Sequence, residues 1–141
     1  MHNSMVDFIG PTFIEKYKFQ LLIICISLIA AGAAVLAFNY AKDSPFRIRA
    51  DEAKARILRG DIKVVLDVRT DVEWWAGHYP GAVHIPTGEL LMEAYHMLPN
   101  ISEPILVYCN TGQRARHATE VLRSLGYKSV WYIAEGYWRL L

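Results

Sequence analysis

Cysteine is scarce in this chain, which has 2 among its 141 residues. Cys25 lies in a long apolar run and Cys109 stands alone in the polar part, so no disulfide can form within that part. An excess of either charge is also lacking, because 15 basic and 14 acidic side chains leave a formal net charge of +1. A nucleic-acid-binding surface needs a marked excess of basic residues, so we expect no nucleic-acid partner. The length allows one small domain.

Residues at the spacing typical of metal ligands are lacking as well. His84 and His117 have no histidine, cysteine or carboxylate partners at the separations typical of zinc sites. His78 lies within Gly-His-Tyr-Pro-Gly, where we expect it to hold a turn rather than act as a base. The sequence therefore predicts no bound metal.

Charge is absent from residues 19–41, which are mostly Leu, Ile, Val, Ala and Phe. At a rise of about 1.5 Å per residue, a helix of this length crosses the roughly 30 Å hydrocarbon core of a bilayer. We expect a tail at 1–18 and a transmembrane helix at 19–41. A core helix would need a larger domain to cover it. A cleaved signal peptide is the stronger rival, but its apolar region is usually only about 7 to 15 residues long.

The basic residues near this span are unevenly distributed. Lys16 and Lys18 precede it, whereas more Lys and Arg residues follow it, beginning with Lys42 and Arg47. Positive charge favours the cytoplasmic side, so we expect a single-pass membrane protein with its folded domain in the cytoplasm. Residues 42–45 form a predicted linker, in which Pro45 disfavours continuation of the helix.

The remaining residues, 46–141, alternate between short apolar strands and helices. We predict strands at 47–49, 64–66, 82–85, 105–108 and 130–133, and helices at 51–59, 88–98 and 114–125. This order predicts an α/β fold, a parallel sheet with helices on both faces. Ligands of such folds bind beyond the carboxyl ends of the strands, where Asp67 and Cys109 each follow a strand.

Cys109 lies between a buried strand and the first turn of a helix. The first amides of a helix have no partners within it, and together with the helix dipole they favour an anion at this position. The expected chemistry is therefore that of a thiolate. No second cysteine is near enough to resolve a persulfide, so we expect an external acceptor.

Several separated motifs resemble those of the rhodanese (sulfurtransferase) family, in the family's order. They are Asp67-Val-Arg69, Glu73, Gly77-His-Tyr-Pro-Gly-Ala82, Ile85-Pro86 and Cys109-Asn-Thr-Gly-Gln-Arg114. The resemblance covers 46–141 and implies a single rhodanese domain, here preceded by a transmembrane helix.

The resemblance also implies roles for these residues. Cys109 would take sulfane sulfur from thiosulfate or another small donor and pass it to a thiol or cyanide, without a cofactor. The persulfide would be held by a cradle made of Asn110, Thr111, Gly112, Gln113 and Arg114. Asp67 and Arg69 would support the facing loop, and Glu73, four residues after Arg69, is expected to pair with it. Asn110 stands where many thiosulfate-active members have a basic residue, which predicts that thiosulfate is a poor donor.

Two other functions stay open. A rhodanese module without activity could bind a protein partner at the membrane. A cysteine-dependent phosphatase or arsenate reductase is disfavoured, because only four residues separate Cys109 from Arg114. A tetrahedral oxyanion needs a wider ring of amides and a loop one residue longer.

Overall fold

The computed structural model describes residues 11–141, with side chains from Glu15 onward. Most of the predicted tail at 1–18 therefore lies outside the described residues. The elements, in chain order, are α1 (Pro11–Lys42), α2 (Ala50–Arg59), β1 (Val64–Asp67), α3 (Asp71–Trp75), β2 (Val83–His84), α4 (Leu90–Met97), β3 (Ile105–Tyr108), α5 (Gln113–Ser124), β4 (Val130–Tyr132) and a 3-10 turn (Tyr137–Arg139).

Helix α1 contains one stretch, Glu15–Lys42, that is long and apolar enough to cross a membrane. Its large apolar side chains are exposed, as Phe19 shows at 71%. A helix in the core of a soluble domain would bury these side chains, so this alternative does not fit. The described residues divide into two compact units after Leu36.

The sheet is parallel, with the strand order β2-β1-β3-β4. Asp67 at the end of β1 is in register with Tyr108 at the end of β3, so the loops after these strands leave the sheet at the same edge. The strand predicted at 47–49 is wrong, because only Arg47 forms an isolated bridge, with Tyr132. Helix α2 begins at Ala50 and leaves no room for a longer ladder.

Helices cover both faces of the sheet, as the sequence predicted. On one face, Leu66 and Val107 pack with residues of α4 and α5. On the other face, Val65 and Leu106 pack with Ala53 of α2 and with the end of the chain. Adjacent strand residues thus face opposite helical layers, which explains why the strands are apolar without alternation.

Helix α3 was not among the predicted helices. It has 5 residues and begins with a capping box, in which the Thr70 hydroxyl accepts from the Glu73 amide and the Glu73 carboxylate accepts from the Thr70 amide. It buries none of its side chains, so the apolar periodicity that identifies longer helices is missing.

Candidate active site

Cys109 follows β3 directly and begins the loop of residues 109–114, here called the Cys109 loop. The Gly112 amide donates a hydrogen bond to Cys109 Sγ over 3.1 Å. Gly112 is the N-cap of α5 and has a φ of 98°, a left-handed conformation that aims this amide back at the sulfur. The residue Cys109 is 1% exposed. One amide of the expected cradle thus contacts the sulfur in a nearly closed environment.

The other expected cradle residues differ in their contacts. Thr111 is exposed, and its hydroxyl donates to the side-chain oxygen of Gln113. Asn110 is half-buried, and its side-chain nitrogen donates to Glu73 Oε1 over 2.6 Å. Gln113 and Arg114 form the first turn of α5. The structure therefore brings 109–114 together as one compact loop.

Glu73 anchors this loop, a role that our sequence interpretation missed. Arg114 donates to it through two parallel hydrogen bonds, Nη1 to Oε2 at 2.7 Å and Nη2 to Oε1 at 2.8 Å. The expected pairing of Glu73 with Arg69 is wrong, because Arg69 is bonded to Asp67 and the Gly77 carbonyl while Glu73 is bonded to Arg114. The spacing Thr70-x-x-Glu73 was the available signal, since it indicates a capping box.

The ion pair affects the titration of both partners. The hydrogen bonds from Arg114 hold the pKa of Glu73 far below its ordinary value. The pKa of Arg114 is raised, first by its hydrogen bond to Glu73 and, less strongly, by the negative charge of Glu73 and by the proximity of Cys109. Arg114 therefore lies within electrostatic reach of the sulfur, while most of its charge is matched by Glu73.

Asp67 and Arg69 form a separate buried network. Arg69 Nη2 donates to Asp67 Oδ2 over 2.7 Å and also to the carbonyl of Gly77 over 2.7 Å. The Tyr108 hydroxyl donates to Asp67 over 2.5 Å and accepts from the Tyr79 amide over 3.1 Å. Every ionised or polar group in this network is satisfied, which suits a structural role.

The two networks lie on different sides of the sheet. Cys109 belongs to the apolar cluster that contains Val107, whereas Tyr108 belongs to the opposite cluster with Leu106. Asp67 and Arg69 are bonded on the side of Tyr108. They are thus at the same edge of the sheet as Cys109 but hold the loop of Gly77 and Tyr79, as a supporting pair would.

The histidines near this edge make local contacts. His78 stacks on Trp74, with ring centroids 3.5 Å apart, and its Nδ1 lies 3.1 Å from the Trp74 carbonyl. His84 stacks on the same indole, with its Nε2 2.9 Å from the Arg69 carbonyl. Among the described residues, no group of three or more His, Cys, Asp or Glu side chains is arranged to hold a metal ion.

A family model described as "Rhodanese-like domain" matches residues 49–139 of this chain. Among curated proteins, the chain is 35% identical over 72 residues to "Putative sulfur carrier protein YrkF" of Bacillus subtilis, across 51% of this chain and 38% of that protein. It is 32% identical over 65 residues to "Thiosulfate sulfurtransferase PspE" of Escherichia coli, across 46% of this chain and 62% of that protein. The chain thus spans less than two thirds of the length of these relatives.

Solved structures show the same architecture. A human single-domain sulfurtransferase, TSTD1, superimposes with a TM-score of 0.58 at 27% identity, across 68% of this chain and 95% of that chain. A rhodanese-like domain from Anabaena superimposes with a TM-score of 0.60 at 28% identity, across 69% and 74% of the two chains.

Proposed function

Because the chain belongs to the rhodanese-like domain family, we propose that it is a membrane-anchored sulfurtransferase that carries sulfane sulfur on Cys109. The names of its relatives in Escherichia coli and human support transfer of sulfur from a small donor to an acceptor. The observation that carries the proposal is the 3.1 Å contact between the Gly112 amide and Cys109 Sγ, at the start of α5. An amide that already donates to the sulfur can stabilise negative charge on it.

The reaction has two steps. The Cys109 thiolate attacks the outer sulfur of the donor, and the bond between that sulfur and the rest of the donor breaks. The electron pair leaves with the donor, as sulfite when the donor is thiosulfate, and Cys109 becomes a persulfide. An acceptor thiolate then attacks the outer sulfur of the persulfide, and the Cys109 thiolate is restored.

The residues of the Cys109 loop have different parts in this reaction. Gly112 supplies an amide to the sulfur, and Arg114 adds a nearby cation whose position is held by Glu73. Asn110, held by the same carboxylate, keeps the loop closed over the sulfur. Thr111 lies just before the N-cap Gly112, and Gln113 begins α5, where its amide belongs to the unpaired first turn of the helix. Neither step needs a metal or an organic cofactor.

Helix α1 serves as the anchor in this proposal. Support comes from the length and apolar character of Glu15–Lys42 and from its exposed apolar side chains. The excess of basic residues after the helix supports a cytoplasmic position of the domain. Digestion of the domain by protease in inside-out but not in right-side-out vesicles tests this orientation.

The test of sulfur transfer uses the full chain in detergent micelles. After incubation with thiosulfate, and in parallel with an organic persulfide, intact mass should increase by one sulfur atom. The gain should disappear in Cys109→Ser and persist in Cys25→Ser, the matched cysteine control. An unchanged mass with both donors would overturn the proposal.

A module without activity is the second candidate, and the 1% exposure of Cys109 is the observation that favours it. A domain that only binds a partner has no need for an accessible sulfur. This candidate predicts that partners captured from membranes by the full chain are retained equally by Cys109→Ser, with no sulfur on the isolated protein.

A further inference from the structure

A cleft of about 320 Å³ opens beside the Cys109 loop. We call it the loop cleft; its walls include Phe38, Lys42, Asn110, Thr111, Trp138 and Arg139. Asn110 and Thr111 directly follow Cys109 in the chain, so the cleft borders the loop that holds the sulfur. Two other clefts, one near Leu58 and one near Arg49, are lined by no residue of the loop.

The last turn of α1 is a fixed wall of this cleft. The Tyr132 hydroxyl donates to the Ala41 carbonyl over 2.7 Å. Arg116, on the helix that follows the Cys109 loop, donates to the carbonyls of Tyr40 and Asp43, the latter over 2.8 Å. The Tyr40 hydroxyl in turn donates to Glu120 over 2.9 Å. The end of α1 is therefore bonded to α5, the helix that follows the Cys109 loop.

Two aromatic rings and two cations line the loop cleft. Lys42 Nζ lies 3.8 Å from the centroid of the Phe38 ring. On the other wall, the Trp138 ring lies over Gly136, so closely that a Cβ at Gly136 would come within 2.1 Å of it, and Arg139 follows directly. The Trp138 side chain is 57% exposed.

The cations of the opening have no carboxylate partner among the described side chains, whereas the other charges near the loop are paired. Arg114 is held by Glu73, and Glu135, which also lines the cleft, lies 3.5 Å from Arg47. Lys42 and Arg139 are therefore the cations that the cleft offers to an anion. Because Arg114 is already neutralised, the loop itself offers little net charge to a small dianion such as thiosulfate.

We propose, on the basis of the sulfurtransferase function proposed above, that the loop cleft binds an amphiphilic sulfur donor, with one negative charge at its sulfane sulfur and an apolar body. Phe38 and Trp138 bind the apolar body, and Lys42 and Arg139 attract the charge. Charge complementarity and the contact of Lys42 with the Phe38 ring carry this assignment, together with the presence of Trp138 and Arg139 in the lining of the same cleft. The membrane helix thus supplies part of the substrate site as well as the anchor.

Organic thiosulfonates provide the probes, because they have this chemistry and a balanced reaction. The Cys109 thiolate attacks the outer sulfur of an R-SO2-S⁻ anion, the S–S bond breaks, and the electron pair leaves with the sulfinate R-SO2⁻. Cys109 gains one sulfur, and no oxidant or reductant is consumed. Benzenethiosulfonate and methanethiosulfonate share the charge and the reacting group and differ in the apolar body.

The experiment measures the rate of sulfur gain on Cys109 by mass spectrometry, for the full chain in detergent with Cys25→Ser as the background. Phe38→Ala or Trp138→Ala should lower the ratio of the loading rate with benzenethiosulfonate to that with methanethiosulfonate about five- to tenfold. This is the effect expected from the loss of about one aromatic contact. Trp75→Ala, an exposed indole on α3 at 83%, should leave the ratio unchanged. Lys42→Gln or Arg139→Gln should slow both donors by the same factor.

The ratio of the two loading rates distinguishes a wrong loop cleft assignment from a misfolded variant or an effect of the micelles. Partition of the aryl donor into micelles is the same for all variants, and a misfolded variant loses both rates rather than their ratio. An unchanged ratio in Phe38→Ala and Trp138→Ala, with sulfur still reaching Cys109, overturns the loop cleft assignment and leaves the sulfurtransferase proposal intact. Failure of every donor to load Cys109 overturns both.

Discussion

The Cα of Ala134 lies 2.7 Å from the point that a Cβ on Gly112 would occupy. Gly112 also has a φ of 98°, which residues other than glycine adopt at a cost of about 1 to 3 kcal/mol. Gly112→Ala should therefore push the Cys109 loop away from Ala134 and break the hydrogen bond from the amide of residue 112 to Cys109 Sγ. The rate at which Cys109 gains sulfur should fall at least about tenfold. The rate of sulfur gain on Cys109 measures the effect.

Gly88→Ala is the matched control for this substitution. A Cβ at Gly88 has no atom within 4 Å, and the residue has no positive φ. We expect its loading rate to equal that of the native chain. Equal rates in Gly112→Ala would show that the amide of Gly112 does not stabilise the sulfur anion.

Glu73→Gln should reduce the free energy of unfolding by about 1 kcal/mol at about pH 7, because it removes the charge that Arg114 and Asn110 contact. The estimate is modest since the two side chains of the ion pair are 28% and 36% exposed and solvent screens them. Denaturant unfolding of the full chain in micelles, followed by tryptophan fluorescence, measures the difference.

The difference in free energy of unfolding between the native chain and Glu73→Gln should depend on pH. The folded-state pKa of Glu73 is lowered from an ordinary value of 4.5, so the folded state binds its proton less tightly than the unfolded state. The stabilisation is complete above about pH 4.5 and is lost as the pH falls toward the folded-state pKa. The native chain and Glu73→Gln should converge in acid. A constant difference from neutral pH to about pH 3 would contradict the ion pair as its cause.

The sequence predicted the longer helices and the central strands, because their apolar patterns reflect burial on one or both sides. Such apolar patterns do not predict two features of the structure. The short segment at 47–49 alternates charged and apolar side chains, as an edge strand can, but the start of α2 at Ala50 limits it to one bridge. Glu73 is near Arg69 in sequence, yet its partner Arg114 lies 41 residues away. Long-range contacts of this kind leave no local periodicity.

Candidate site residues were easier to place than their partners. Cys109 and Gly112 are fixed by the junction of β3 and α5, which the strand and helix patterns indicate. The loop cleft could not be predicted, because it depends on the last turn of α1 meeting α5 through Arg116. The linker predicted at 42–45 carries no signal of this contact in the sequence.

Tyr108→Phe should lower the free energy of unfolding by about 1 to 2 kcal/mol, since Asp67 loses a donor and the Tyr79 amide loses its acceptor. Burial and the bond to Asp67 raise the pKa of Tyr108 above its ordinary value of 10.0. The folded state therefore holds this proton more tightly than the unfolded state. The advantage of the native chain should be complete below about pH 10 and shrink as the pH rises above it.

Denaturant midpoints in mildly and strongly alkaline buffer measure this change. Tyr79→Phe is the control, because its backbone amide, and not its ring, makes the contact with Tyr108. Sulfur loading of Cys109 should be nearly the same in Tyr108→Phe, since this hydroxyl lies on the side of the sheet away from the sulfur cluster. A loss of loading with little loss of stability would instead assign the Asp67 network a direct part in the reaction.

Arg116→Gln should release the last turn of α1. The substitution removes the donors to the Tyr40 and Asp43 carbonyls and the cation 3.9 Å from the Tyr40 ring. Amide exchange at Asp43, which is bonded to Asn39 in the last turn, should accelerate about tenfold, as expected for local opening that becomes easier by about 1.4 kcal/mol. Hydrogen exchange of the full chain in micelles, resolved by peptide, measures it.

Arg123→Gln tests whether this effect is local. Arg123 is on the same helix but donates to the Val130 carbonyl, with Nη2 at 2.8 Å, so its loss should increase exchange near β4 and leave Asp43 unchanged. If the loop cleft depends on a fixed α1 end, Arg116→Gln should also lower the ratio of benzenethiosulfonate to methanethiosulfonate loading, whereas Arg123→Gln should not. Slow exchange at Asp43 in Arg116→Gln would mean that the remaining bonds, from Tyr132 to the Ala41 carbonyl and from Tyr40 to Glu120, hold the helix end in place.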